Sequence, residues 1–453
     1  MKYIVVGSSH GGYESVRGIL KEDPKAEIQW YEMGDFISFL SCGMQLYLEG
    51  VVKDVNNVSY ATPEGAKKAG VHVFEKSEIN HVDPDKHTVH VLDHNNGSER
   101  DEHYDKLFLS VGAVPNHLPV KGNDLKNVYA MRGRDWAIRL KAKTVDPDVK
   151  NVVVVGSGYI GLEAAEVFAK AGKHVTMIDL NKRVLGNYLD SEFTDVLSKV
   201  IEDNHVTLAM GAPAGEYVDN GKGYVKGVTA NGKEYPADLV VETAGVKPAT
   251  SFLKGAVDLD GHGLIKVNKY METSAKDIYA AGDSIEVPFA PTGKTSYIAL
   301  ASNARREGRT AALNAFGHHV PMTPVSGSSA LSIFGYKFAS TGIKEGTASK
   351  FGLKTESVVV TDTKRPKFVP DKDGNAKVWF KLTFDPKDGR VLGAQIMSKE
   401  DVTANINTIS LAIQAGLKVN DLAYADFFFQ PGFDRPWNIM NVAAQKAVDK
   451  LNK

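Results

Sequence analysis

Cys42 is the only cysteine in 453 residues. An intrachain disulfide is therefore closed to it. It is left as an inert buried thiol, a metal ligand without thiolate partners, or a reactive centre that works alone. A lone thiolate can carry two electrons through oxygen. It attacks a peroxide O–O bond, releases water or hydroxide, and becomes a sulfenic acid. With no second cysteine, that sulfenic acid cannot condense to a disulfide. Cys42 lies in FISFLSCGM, ten residues after Glu32. GMQLYLEG predicts a helix that Cys42 begins, and a helix N-terminus stabilises thiolate, so the thiol pKa is expected to fall.

Two glycine loops supply the surroundings. The first reads Gly7, Ser8, Ser9, His10, Gly11, Gly12. The second reads Gly156-Ser-Gly158-Tyr159-Ile160-Gly161, a full G-x-G-x-x-G. Its first glycine allows the tight turn, its second lets a pyrophosphate approach the backbone, and its third lets the helix pack on the strand. Each loop follows a β-branched run and opens a segment of helical period. Each is followed by a strand ending in an acid, Glu32 or Asp179. Asp179 would accept from adenine ribose hydroxyls and disfavour a 2′-phosphate, which points to NADH. Ser9 replaces the middle glycine of the first loop and weakens that match. Two such units suggest two dinucleotides, a flavin and a nicotinamide, forming an electron relay. Gly282-Asp283 at a strand end fits a ribityl contact to the flavin. His10 is the histidine within reach of this chemistry, as acid–base group or thiolate stabiliser.

These residues need elements to hold them. Residues 104–115 and 237–248 run from strands into Gly-Pro turns, and 296–317 predicts a long helix. From about residue 325, ALSIFGYKFASTGI, ESVVVTD and AKVWFKLTF predict antiparallel strands, with DPKDGR as a hairpin turn. The fold class is α/β: two Rossmann-like dinucleotide-binding domains plus a C-terminal α+β interface domain. The first nucleotide domain is split, over 1–115 and 247–322; the second occupies 116–246, and the interface domain 323–453. With 54 basic and 55 acidic residues, nothing demands a nucleic-acid partner. No apolar run nears the roughly 18 residues that span a bilayer. One cysteine and no export signal suggest a cytoplasmic protein.

SSHGGYESV, IQWYEMGDFISFLSCGMQLYLEG, YDKLFLSVGAVP, VVVVGSGYIGLEAAE, TANINTISLAIQA and YADFFFQPGFDRPWN closely resemble the NADH peroxidases of lactic acid bacteria. These form part of the single-cysteine peroxidase/oxidase branch of the flavoprotein disulfide reductase superfamily. The resemblance covers essentially the whole chain, in order. It implies FAD, NADH as substrate, a homotetramer (dimer of dimers), and Cys42 cycling between thiolate and sulfenic acid beside His10. FAD contacts fall by resemblance on Gly7 through Gly11, Glu32, Ser110, Val111, Gly112, Ala113, Arg132, Asp283 and Ala301. NAD contacts fall on Ile160, Asp179, Tyr188 and Gly245, and Tyr159 matches a ring that covers the flavin when nicotinamide is absent. Ala330 stands where the family has glycine. Arg305 matches a family arginine near His10, although by itself it reads as a surface residue of a helix, as does Glu14.

The expected reaction is NADH + H⁺ + H₂O₂ giving NAD⁺ and two waters. Its nearest alternative is a water-forming NADH oxidase, whose loops usually read Ala-Gly where this chain has Gly11-Gly12. A coenzyme A disulfide reductase would carry tyrosines where FFFQPGF stands. A peroxide sensor would have less need of the nicotinamide loop.

Overall fold

The computed structural model describes residues 1–453. KYIVV and NVVVV are buried along almost their whole length. A strand apolar on both faces must be central in a parallel sheet covered by helices. Each lies third in a five-stranded sheet. The first sheet runs Ile278–Ala280, Lys106–Leu109, Lys2–Val6, Glu27–Tyr31, Val71–Phe74, all parallel. The second runs Val206–Met210, His174–Asp179, Asn151–Val155, Leu239–Glu242, Val128–Ala130, also all parallel. The chain passes between the two units along a ribbon that pairs Ala113–Pro115 with Val246–Pro248.

Four helices carry or flank the candidate residues: α1 (His10–Glu22), α2 (Met44–Leu48), α3 (Tyr159–Lys170) and α4 (Ala301–Ala315). The helix predicted over 296–317 is shorter than expected. Residues 294–296 form a strand with Val287–Phe289, so α4 starts only at Ala301. The third unit is an antiparallel sheet ordered Ser329–Ile333, Tyr336–Gly342, Val391–Ser398, Lys377–Phe384, Glu356–Thr363, with DPKDGR as the predicted hairpin turn. No helix is long and apolar enough to cross a membrane.

The segment bearing Cys42 leaves the first unit and packs elsewhere. Phe39, Met44, Leu48, Val55 and Val58 share one apolar core with Val152, Leu162, Ala165 and Phe168 of the second unit and Ile333 and Phe338 of the third. The neighbourhood of the cysteine is thus cored against α3.

A buried ionic knot joins the second and third units. Lys381, only 3% exposed, meets Glu345 at 2.7 Å, Glu192 at 2.8 Å and Asp190 at 3.2 Å. Asp190 also accepts from Gly346 N and Gln395 Nε2. Removing Lys381 leaves the Asp190 carboxylate, 7% exposed, without its cation in a dry place, whereas Glu192 and Glu345 reach solvent. Lys381→Met keeps the aliphatic stem, and is expected to lower unfolding stability by about 3 kcal/mol, read by denaturant titration.

Candidate active site

The two glycine loops are built to one plan. In the first, Ser8 donates to Glu32 Oε2 through its N–H (3.1 Å) and its hydroxyl (2.5 Å), and Gly34 N donates to Oε1 (2.8 Å). In the second, Ser157 donates to Asp179 Oδ2 in the same two ways (2.6 and 2.7 Å), and Asn181 N donates to Oδ1 (2.7 Å). Each acid is thereby fixed at a strand end, facing its loop. In both loops the third glycine lies against the carbonyl oxygen of the first, Gly12 on Gly7 and Gly161 on Gly156, with no room for a Cβ. α1 and α3 begin there with no side-chain cap and no acid in the first turn. Their leading N–H groups face the loops unclaimed, as a phosphate site requires.

The remaining candidates gather around these loops. Ser110 ends the strand Lys106–Leu109 and packs on Gly7 and Gly11, so Val111, Gly112 and Ala113 leave the sheet beside the first loop. Asp283 pairs with Arg132 at 2.7 Å, and the preceding Gly282 N donates to Glu307 Oε2 at 2.6 Å. Burial pushes the Glu307 carboxyl up to about 8. Ala301 is the first residue of α4. In the second unit, Tyr159 and Tyr188 have ring centroids 4.4 Å apart. The Tyr159 hydroxyl shares a hydrogen bond with Ser329 Oγ at 2.8 Å, next to exposed Ala330. Ile160 is exposed at the start of α3, and Gly245 accepts from Asn116 N at the ribbon between units.

His10, the first residue of α1, is half-buried, and its Nδ1 is buried without a partner. Burial first, and the Arg305 guanidinium second, hold its imidazole below the ordinary value, with Asp283 pulling the other way. Arg305 is no surface residue. Its guanidinium lies over the rings of Tyr60 (4.3 Å) and Tyr13 (4.9 Å), within 3.9 Å of Glu14. Glu14 is correspondingly a partner of Arg305 and mostly covered, where an exposed helix surface was expected. Tyr60 also meets the His10 ring edge-on.

Cys42 is an exposed residue of the turn Ser41–Gly43. It does not begin an α-helix: Ser41–Gly43 is a single 3₁₀ turn, and α2 follows with five residues. The expected fall in thiol pKa is corrected accordingly. Desolvation by the surrounding protein pushes it up; the turn N–H pulls back, and nearby Glu163 adds to the rise. Glu163, on α3, is itself raised to about 7 by burial and by Glu166 and Glu49.

Sequence reading missed Tyr13, Tyr60, Ser157, Ser329, Glu163 and Glu307. Ser157 was detectable, since VVGS occurs in both loops. The others carry no local signal and are assembled from distant segments.

Residues 1–308 match the family described as pyridine nucleotide-disulphide oxidoreductase, and residues 328–439 match its dimerisation domain. The chain is 41% identical to an NADH oxidase of Enterococcus faecalis, over the whole of both chains. It is 35% identical to an NADH oxidase of Streptococcus pyogenes, over 99% of this chain and all of the relative. Among solved structures, the water-forming NADH oxidase of Lactobacillus brevis bound to NADH superposes with a TM-score of 0.95 at 38% identity, covering 100% of this chain and 99% of that one. These relatives are called oxidases, where the sequence reading expected a peroxidase. With two uncapped nucleotide loops of matching build and a full-length match, the chain belongs to the pyridine nucleotide-disulphide oxidoreductase family, in its NADH oxidase/peroxidase branch.

Proposed function

We propose that the protein is an FAD-dependent NADH oxidase that reduces dioxygen to water, with Cys42 as its second redox centre. The observation that carries this is the chain's only cysteine, on a segment cored against the helix of the second nucleotide loop, beside two nucleotide loops of one build. The oxidase names of the full-length relatives favour dioxygen over peroxide as the terminal acceptor.

The first loop fits a flavin dinucleotide. Unclaimed N–H groups at α1 suit its pyrophosphate, Glu32 suits a ribose, and Asp283 with Arg132 suits the ribityl end. The buried nitrogens His10 Nδ1 and Arg305 Nε have no hydrogen-bond partner in the chain. When bound, FAD supplies hydride acceptance from nicotinamide and passes electron pairs onward.

The chain's own residues do the rest. Asp179 and the α3 N-terminus orient NADH. Tyr159 and Tyr188 set their paired rings beside the second loop, where the nicotinamide nucleotide would be held. His10, at the start of α1, is the acid–base group of this reading, and the Cys42 thiol, held up by burial and Glu163, must lose its proton before it attacks. The electron pair of the first NADH and two protons take O₂ to H₂O₂; the Cys42 thiolate then cleaves its O–O bond, taking one oxygen as Cys–SOH while the other leaves as hydroxide and is protonated to water. Two further electrons and two protons return the sulfenic acid to thiol and release the second water. The sum is 2 NADH + 2 H⁺ + O₂ giving 2 NAD⁺ + 2 H₂O. Exposed Tyr424, Phe428, Phe429, Phe433 and Trp437 support assembly through the C-terminal unit.

The purified protein should release FAD on denaturation. Anaerobic NADH should bleach the bound flavin and air should restore its colour; absence of bleaching would overturn the proposal. Asp179→Ala removes an acceptor that organises the second loop. It is expected to lower kcat/KM for NADH about 10–100-fold in steady-state assays, with flavin content unchanged.

A further inference from the structure

Glu166 is a buried carboxylate that the nucleotide chemistry does not use. It lies on α3, 3% exposed. Its Oε2 accepts from Gln45 Nε2 at 3.0 Å, three residues beyond Cys42 on α2. Its Oε1 accepts from the backbone N–H of Phe334 at 2.8 Å and lies 3.0 Å from Lys170 Nζ. Lys170 also reaches Glu49 Oε1, at the end of α2, at 2.9 Å. One carboxylate thus ties together three units: the helix of the second loop, the segment carrying Cys42, and a hairpin tip of the C-terminal sheet.

The hairpin tip needs that tie. Phe334 has φ +44, in the left-handed region that bulky side chains disfavour. Its hydrogen bond to a buried carboxylate offsets part of that cost. The strand leading into this tip carries Ser329, which holds the Tyr159 hydroxyl. Met44 and Leu48 of α2 pack in the same core as Leu162 and Ala165 of α3. The apolar contact fixes how closely the helices approach, and Glu166 supplies the directional bonds that fix their register.

We infer that Glu166 is a positioning residue: it sets the placement of Cys42 relative to α3. The inference rests on the proposed transfer of electrons from flavin to Cys42.

The test uses the flavin-loaded protein and compares Glu166→Ala with Glu166→Gln. Anaerobic flavin reduction by NADH, followed by stopped flow, is expected to stay within about twofold in Glu166→Ala, with KM for NADH unchanged, because Asp179 and the loop are untouched. Cys42-dependent reduction of H₂O₂ should fall about tenfold or more, since displacements of about 1 Å cost that much or worse. Glu166→Gln still accepts from Phe334 and, once the Gln45 amide turns to present its oxygen, donates to Gln45, so it should recover most of the loss. Gln45→Leu cuts only the arm to α2 and should reproduce the selective defect, which keeps the test decisive if Glu166→Ala fails to fold. Unchanged peroxide turnover, an equal fall in both half-reactions, or no recovery in Glu166→Gln would overturn the inference. A parent protein whose flavin NADH does not bleach would overturn instead the reading on which it rests.

Discussion

Cys42→Ser is expected to keep consuming NADH and oxygen but to release hydrogen peroxide. Nothing in the hydride path to a flavin requires the thiol. Cleavage of the O–O bond does, because a serine hydroxyl is neither ionised near neutral pH nor able to carry oxygen as a sulfenic acid. Oxygen would therefore stop at the two-electron product. The ratio of NADH to O₂ should fall from two to one, and peroxide should accumulate in stoichiometric amounts. Anaerobic peroxide-dependent NADH oxidation should drop by at least about a thousandfold, the loss of a covalent route. The raised thiol pKa makes deprotonation the step that needs help. A serine variant that still makes water would remove Cys42 from the mechanism.

Gly12→Ala and Gly161→Ala are expected to separate the two nucleotide sites. In both loops the added Cβ would run into a backbone carbonyl, which cannot swing aside as a side chain can. The helix must then move off its strand, and the phosphate site at its N-terminus moves with it. Gly12→Ala should be purified with flavin absorbance reduced more than about tenfold, because the first loop carries the pyrophosphate contacts. Gly161→Ala should keep its flavin but lose bleaching by NADH at ordinary concentrations. The reverse pattern would exchange the two loops' assignments.

The nucleotide-binding halves were legible because their signals are local. β-Branched runs, glycine spacing and a strand-end acid sit within about thirty residues of each other, as a βαβ unit requires. The antiparallel C-terminal unit was legible for the same reason, through alternation and the DPKDGR turn. What sequence could not give was contact across units. Arg305 became a stacked cation only when Tyr13, Tyr60 and Glu14 converged on it from two other segments. Cys42 was expected to gain from a helix it does not begin; α2 is one turn later and too short, and the protein packed around the thiol dominates. Peroxidase and oxidase differ in how one cleft treats oxygen, and motif spacing does not encode that.

The most direct measurement is the stoichiometry of turnover: oxygen uptake and NADH loss followed together in the flavin-loaded protein, before and after catalase is added. Two NADH consumed per O₂, with no oxygen returned by catalase, is the predicted result. Negligible oxygen uptake, with rapid turnover only when H₂O₂ is supplied anaerobically, would contradict it and identify a peroxidase.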